Sequence, residues 1–125
     1  LRVPLLAVVL RKGYGLGAMA MAGGSLHAPA MTVAWPTGEL GGMGLEGAVR
    51  LGFRKELDAA AEGPERDALF EQLVGAAYER GSAISMAEAL EIDDVVDPAD
   101  TRRLLALGLA SSRTRPRGPG PLDPW

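Results

Sequence analysis

A short apolar run, Val3 to Leu10 (VPLLAVVL), leads almost at once into Gly13-Tyr14-Gly15-Leu16-Gly17 and then AMAMAGGSL. The run has the length and β-branched content of a strand buried on both faces. The segment after the glycines suits a helix packed so closely that only small residues fit. Strand, glycine turn and helix in that order read as an α/β chain with closely approaching backbones. Eleven of the 17 glycines fall in residues 1–52, and only five charged side chains fall in the first 46. Chemistry is therefore expected in this glycine-rich half.

The rest of the chain is more ordinary. Met31 to Trp35 reads as a second strand stopped by Pro36, and Glu39 to Met43 as a poor strand or a loop. Leu45, Ala48, Val49, Gly52, Phe53 and Leu57 recur at helical spacing, which predicts an amphipathic helix near 44–59. Pro64 and Glu65 open a long helix to about Leu90, with Leu69, Phe70, Leu73, Ala77, Gly81 and Ile84 as one stripe. Ile92 to Val96 is a brief strand or link. Asp97 is an N-cap and Pro98 the first position of a last helix, whose face is Thr101, Leu104, Leu105 and Gly108. The Pro-, Gly- and Arg-rich segment 111–125 reads as a disordered tail. No internal repeat is visible at any fixed spacing.

Composition narrows the function classes. With 125 residues the chain is at most one domain, and its start on an apolar strand at Leu1-Arg2-Val3-Pro4 reads as the middle of something larger. The net charge of -3 argues against a nucleic-acid binder, and zero cysteines exclude disulfides and thiolate chemistry. So few large aromatics imply a core of Leu, Val, Met and Ala. Gly13 to Gly38 carries no charged residue and is long enough to cross a bilayer on count alone. Its glycines, Pro29, Pro36 and His27 argue instead for buried protein interior, with no membrane span and a cytoplasmic setting.

The candidate chemistry is mostly backbone. A strand entering a helix through Gly15-Leu16-Gly17 presents unpaired N–H groups at the helix start, suited to a developing oxyanion. These features by themselves favour a tight structural turn with a closely packed helix over that site, and a phosphate loop lacks its spacing here. His27, the lone histidine, reads as structural, and Ser25 does not sit in a nucleophile elbow. Asp93, Asp94, Asp97 and Asp100 read as a solvated acidic loop rather than a metal site. Met19, Met21 and Met31 read as an apolar wall, and Arg113, Arg115 and Arg117 as a solvated tail.

Three blocks in order, VPLLAVVLRKGYGLGAMAM, TVAWPTGELGGMGLEGAVRL and EIDDVVDPADTRRLL, carry a resemblance. The chain resembles the C-terminal half of biotin-dependent acyl-CoA carboxyltransferases, the β-subunit type of propionyl-, acetyl- and methylcrotonyl-CoA carboxylases, from Val3 to about Leu109. The resemblance implies an incomplete crotonase-like ββα spiral with a helix-rich C-terminal half, spanning residues 3–110 as a second carboxyltransferase domain. It implies transfer of a carboxyl group from carboxybiotin, on a partner carrier domain, to the α-carbon of an acyl-CoA. The Leu16 and Gly17 amides would hold the biotin ureido oxygen, Gly15 would shape the turn, and Met19 would face an apolar acyl group, with no metal. The family form has Gly-Gly-Ala where this chain has Gly15-Leu16-Gly17, so the leucine side chain stands beside the biotin pocket. Implied partners are the carboxyltransferase N-terminal half, a biotin carboxylase and carrier subunit, and further copies in a homo-oligomer. The isolated 125 residues are expected to be inactive. A non-catalytic assembly module and a biotin-dependent decarboxylase subunit stay open as alternatives.

Overall fold

The computed structural model describes residues 3–112. Its first half is two passes of one pattern. Strands β1 (Leu6–Val9) and β2 (Lys12–Tyr14) lead into helix α1 (Gly15–Met21), and β3 (Met31–Ala34) and β4 (Glu39–Gly41) lead into α2 (Leu45–Gly52). A strand that runs parallel to its neighbour needs a crossover connection. Here β2 and α1 supply it. β1 pairs in parallel with β3, Leu6 opposite Met31 and Val9 opposite Ala34. β2 pairs in parallel with β4, Lys12 opposite Glu39 and Tyr14 opposite Gly41. The two passes stack in register although their sequences show no repeat, because each position is filled by whatever its own neighbours leave room for.

The second half is helical. α3 (Arg54–Ala59), α4 (Pro64–Arg80) and α5 (Ala83–Glu88) precede a short strand, β5 (Asp94–Val95). β5 joins β3 in parallel, so one sheet has the order β1-β3-β5 and β2-β4 form a separate two-stranded ribbon. A 3₁₀ turn at Pro98–Asp100 then leads into α6 (Thr101–Ser111). The Asp97 side chain accepts from the Ala99 N–H at 2.8 Å, the expected cap, although it caps the 3₁₀ turn ahead of the helix. The Trp35 indole N–H donates to Thr101 Oγ1 at 2.9 Å and ties α6 to the end of β3.

Several expected elements are cut differently. The helix expected over 44–59 breaks at Phe53 (φ -110°) into α2 and α3, yet Leu45, Val49 and Leu57 stay buried along one apolar face. The helix expected to run from Pro64 to about Leu90 stops at Arg80, because Gly81 is drawn against β4. Ile84, expected on its stripe, is exposed. β1 is only half-buried rather than buried on both faces, since it is the edge strand of its sheet. The expected tail begins inside α6, which includes Ser111; the remaining tail residues 113–125 lie outside the described residues.

The core is small. Ala34, Leu40, Ala83 and Ile92 form its centre, flanked by Val9, Leu26, Met86, Ala87 and Val95. Leucine, valine and alanine fill it as expected, with isoleucine added, but methionine reaches only its margin. The uncharged stretch Gly13 to Gly38 is not uniformly interior: α1 has no buried residue, and Leu16 and Met21 are 82% and 85% exposed. Thr32, Val33 and Ala34 of the same stretch are buried, so burial follows β3 rather than the absence of charge. Among the described residues no helix is long and apolar enough to cross a membrane.

The helices are fastened to the strands backbone to backbone. The Leu40 N–H donates to Gly81 O at 2.8 Å, and the Ala83 N–H donates to Gly38 O at 2.9 Å. These bonds flank an antiparallel bridge between Glu39 and Ser82. A side chain at Gly81 would place its Cβ 2.6 Å from Leu40 O. Gly81→Ala is expected to lower stability by ~1–3 kcal/mol through this overlap. Gly47→Ala, on α2 with open space around it, is expected to raise stability by ~0.5–1 kcal/mol. Urea unfolding of the two variants measures both.

Candidate functional site

The site is built where β2 turns into α1. Tyr14 is still extended (φ -111°, ψ 142°), and Gly15 then takes a left-handed conformation (φ +63°) that redirects the chain into the helix. A side chain at Gly15 would also bring its Cβ to 3.3 Å from Gly42 O. The β2–α1 turn therefore rests on the β4–α2 turn. Beside this contact the Tyr14 ring lies over Gly41, 3.5 Å from where a Cβ would stand.

Leu16 and Gly17 follow in the first turn of α1. Helix geometry gives their N–H groups no intrahelical acceptor, and no side chain caps the helix. No acidic residue sits in that turn to satisfy the positive end of the dipole. Gly17 is exposed and has no atom within 4 Å of where its Cβ would be. The Leu16 side chain is exposed to solvent. These are spare donors on an approachable surface, the arrangement that stabilises negative charge on a ligand oxygen.

An open cleft of about 230 Å³ adjoins the turn. Gly15, Ala18 and Met19 form one wall, Gly41 and Gly42 another, and Ser25, His27 and Glu91 reach its rim. Met19 thus lines the cleft instead of joining the core, while Met21 projects away from it, and Met31 lies beneath α6 beside Gly108. His27 Nε2 lies 3.3 Å from Glu91 Oε2, a carboxylate partner that no local spacing in the chain points to. Both side chains are exposed, so the pair contributes little to stability. Ser25 Oγ accepts from the His27 backbone N–H at 3.1 Å and shapes the loop.

Asp93, Asp94 and Asp97 hold backbone. Asp93 Oδ2 accepts from the Thr32 N–H at 2.6 Å, while the Asp93 N–H returns to Thr32 O at 2.8 Å. Asp94 accepts from the Val95 N–H, and Asp100 pairs with Arg103 at 3.1 Å. Among the described residues no three acidic, histidine or cysteine side chains group together to hold a metal ion. Arg113, Arg115 and Arg117 lie outside the described residues.

Two tyrosine–glutamate bonds flank the ribbon. The Tyr14 hydroxyl donates to Glu39 Oε2 at 2.8 Å, and the Tyr78 hydroxyl donates to Glu46 Oε1 at 2.7 Å. Burial first, and then the bond to Glu39, push the Tyr14 phenol well above its usual range. The bond to Glu46 raises the Tyr78 phenol, and the same bond holds the Glu46 carboxyl below the usual range. Neither tyrosine stood out in the sequence. Only the pairing of β2 with β4 brings Tyr14 within reach of Glu39. Gly15→Ala is expected to cost ~1–2 kcal/mol, since a Cβ is disfavoured in the left-handed region. A lowered thermal midpoint with unchanged secondary structure by circular dichroism is the expected readout.

The carboxyl transferase domain family matches residues 1–121. The chain is 40% identical over 115 residues to the biotin-dependent acetyl-/propionyl-coenzyme A carboxylase beta6 subunit of Mycobacterium tuberculosis, covering 90% of this chain and 24% of that protein. Among solved structures, the transcarboxylase 12S hexamer with methylmalonyl-coenzyme A bound superposes with a TM-score of 0.79 at 34% identity, over 95% of this chain and 23% of that one. A single-chain, multi-domain long-chain acyl-CoA carboxylase superposes with a TM-score of 0.68 at 58% identity, over 84% of this chain and 10% of that one. The chain spans about a fifth of the length of the curated relatives it matches.

Proposed function

The chain belongs to the carboxyl transferase domain family and has its crotonase-like strand–strand–helix fold, and from that premise we propose that it is the biotin-side half of an acyl-CoA carboxyltransferase. The reaction moves a carboxyl group from carboxybiotin, carried by a partner, to the α-carbon of an acyl-CoA. The observation that carries this reading is the β2–α1 turn, where two uncapped N–H groups follow the left-handed bend at Gly15.

The Leu16 and Gly17 N–H groups hold the ureido oxygen of biotin as negative charge gathers on it. Gly15 sets the angle at which they are presented, and the bare backbone at Gly17 lets the ring come close. Met19 gives the cleft an apolar wall toward the acyl group. Carboxybiotin, when bound, supplies the carboxyl group and then the base that takes the acyl α-proton. The chain therefore needs no side-chain base, which accords with His27 at the exposed rim and Asp93 committed to backbone. Backbone donors of this kind contribute about 10²–10³-fold each where water is excluded.

The names of the relatives support the wider setting: subunits, a hexamer and a multi-domain chain, all much longer than these 125 residues. In this reading residues 3–110 are the second carboxyltransferase domain, and the N-terminal half of the carboxyltransferase binds the acyl-CoA. A biotin carboxylase and carrier subunit load the biotin, and the enzyme is a cytoplasmic homo-oligomer. The 125 residues alone do not turn over.

Gly17→Val in the full-length carboxyltransferase, supplied with its carboxylase partner, tests the amide assignment. The introduced valine side chain would enter open space, so the fold tolerates it, but it would screen the donors. Carboxyl transfer is expected to fall at least ~100-fold with the thermal midpoint within the scatter of the parent. Turnover equal to the parent overturns the assignment and leaves the assembly-module reading.

A further inference from the structure

Tyr14 occupies the last extended position before the turn, and its side chain runs back along the ribbon instead of toward the cleft. Its hydroxyl is 2.8 Å from Glu39 Oε2, and its ring lies over Gly41, 3.5 Å from where a Cβ would stand. Glu39 is a firm anchor. Its N–H donates to Arg11 O at 2.6 Å, it lies opposite Lys12 in the β2–β4 register, and it is bridged to Ser82 on the far side. The Tyr14 side chain therefore joins the turn that bears the Leu16 and Gly17 amides to a strand fixed from both directions.

From this geometry we infer that Tyr14 is a positioning residue for carboxyl transfer, its hydroxyl bond to Glu39 fixing where the Leu16 and Gly17 N–H groups point. The inference rests on the function proposed above. The physical need is clear from the local structure. α1 has no cap, no buried residue and no acidic side chain in its first turn, so nothing on the helix itself fixes its start. Gly15 supplies the bend but, lacking a side chain, cannot hold it. A displacement of about 1 Å at such donors is enough to cost on the order of 10²-fold in rate. Burial and the Glu39 bond both raise the Tyr14 phenol, so the hydroxyl keeps the proton that it donates to Glu39.

The role differs from simple support of the fold. Removing the hydroxyl leaves the ring over Gly41 and the backbone pairing of β2 with β4 in place. What is lost is the restraint on the turn.

The experiment uses the full-length carboxyltransferase with its carboxylase partner and compares Tyr14→Phe, Glu39→Ala and Glu39→Gln. Tyr14→Phe and Glu39→Ala are each expected to lower kcat about 5–20-fold with KM for acyl-CoA within about twofold of the parent. Glu39→Gln keeps an acceptor for the hydroxyl and is expected to recover most of the loss. Amide hydrogen exchange at Met19 and Ala20, whose N–H groups have acceptors within α1, is expected to quicken in Tyr14→Phe while that of Val33 and Ala34 stays unchanged. The inference is overturned if Tyr14→Phe retains the parent kcat, or if Glu39→Gln is as slow as Glu39→Ala. It is also overturned if exchange quickens equally at Val33 and Ala34, which marks a general loss of stability. If Gly17→Val is inactive while Tyr14→Phe is unaffected, only the positioning role fails. If Gly17→Val is fully active, the function proposed for the amides fails first.

Discussion

The rest of the structure depends on a backbone contact. β4 has only three residues, yet it pairs with β2 on one side and receives the chain between α4 and α5 on the other. The second contact is possible only because Gly81 has no side chain, so its carbonyl and the Leu40 N–H meet directly. Through it the helical half of the chain closes over Leu40 and Ala83, two of the four residues at the centre of the core. Gly38 plays the same part at the other end of the strand, with Trp35 O, Ala34 and Ala83 all crowding its missing Cβ.

This economy shapes the energetics. A centre of two alanines, a leucine and an isoleucine buries less apolar area than one of larger residues, so its stability depends on close approach more than on bulk. Meanwhile Leu16, Met21, Leu51, Leu90, Leu107 and Leu109 stay largely exposed. Two of these side chains, Leu16 and Met21, lie on α1, the helix whose first turn bears the uncapped N–H groups.

Much of this was legible in the residues, for physical reasons that can be named. Apolar runs bounded by glycine and proline located β1 and β3, helical spacing located α2 and α4, and Asp97-Pro98 located the start before α6. Gly15-Leu16-Gly17 after an apolar run marked the helix start, because glycine there allows the left-handed bend that opens it. What escaped was set by pairing rather than by local preference. Lys12–Tyr14 and Glu39–Gly41 are too short and glycine-rich to show a period, and they become strands only against each other. The break at Gly81 follows from Leu40, distant in sequence. The bonds from Tyr14 to Glu39 and from His27 to Glu91 arise the same way, across elements whose register no single segment encodes.

The division into two sheets has a further meaning for motion. The sheet β1-β3-β5 carries Val33 and Ala34 at its centre, whereas the turn with the spare amides belongs to β2, the outer strand of the separate ribbon. Opening at that turn breaks few buried contacts, so its free energy lies well below that of global unfolding. The molecule can thus keep a rigid interior and still let one margin yield and reset. Rigidity and compliance are assigned to different strands.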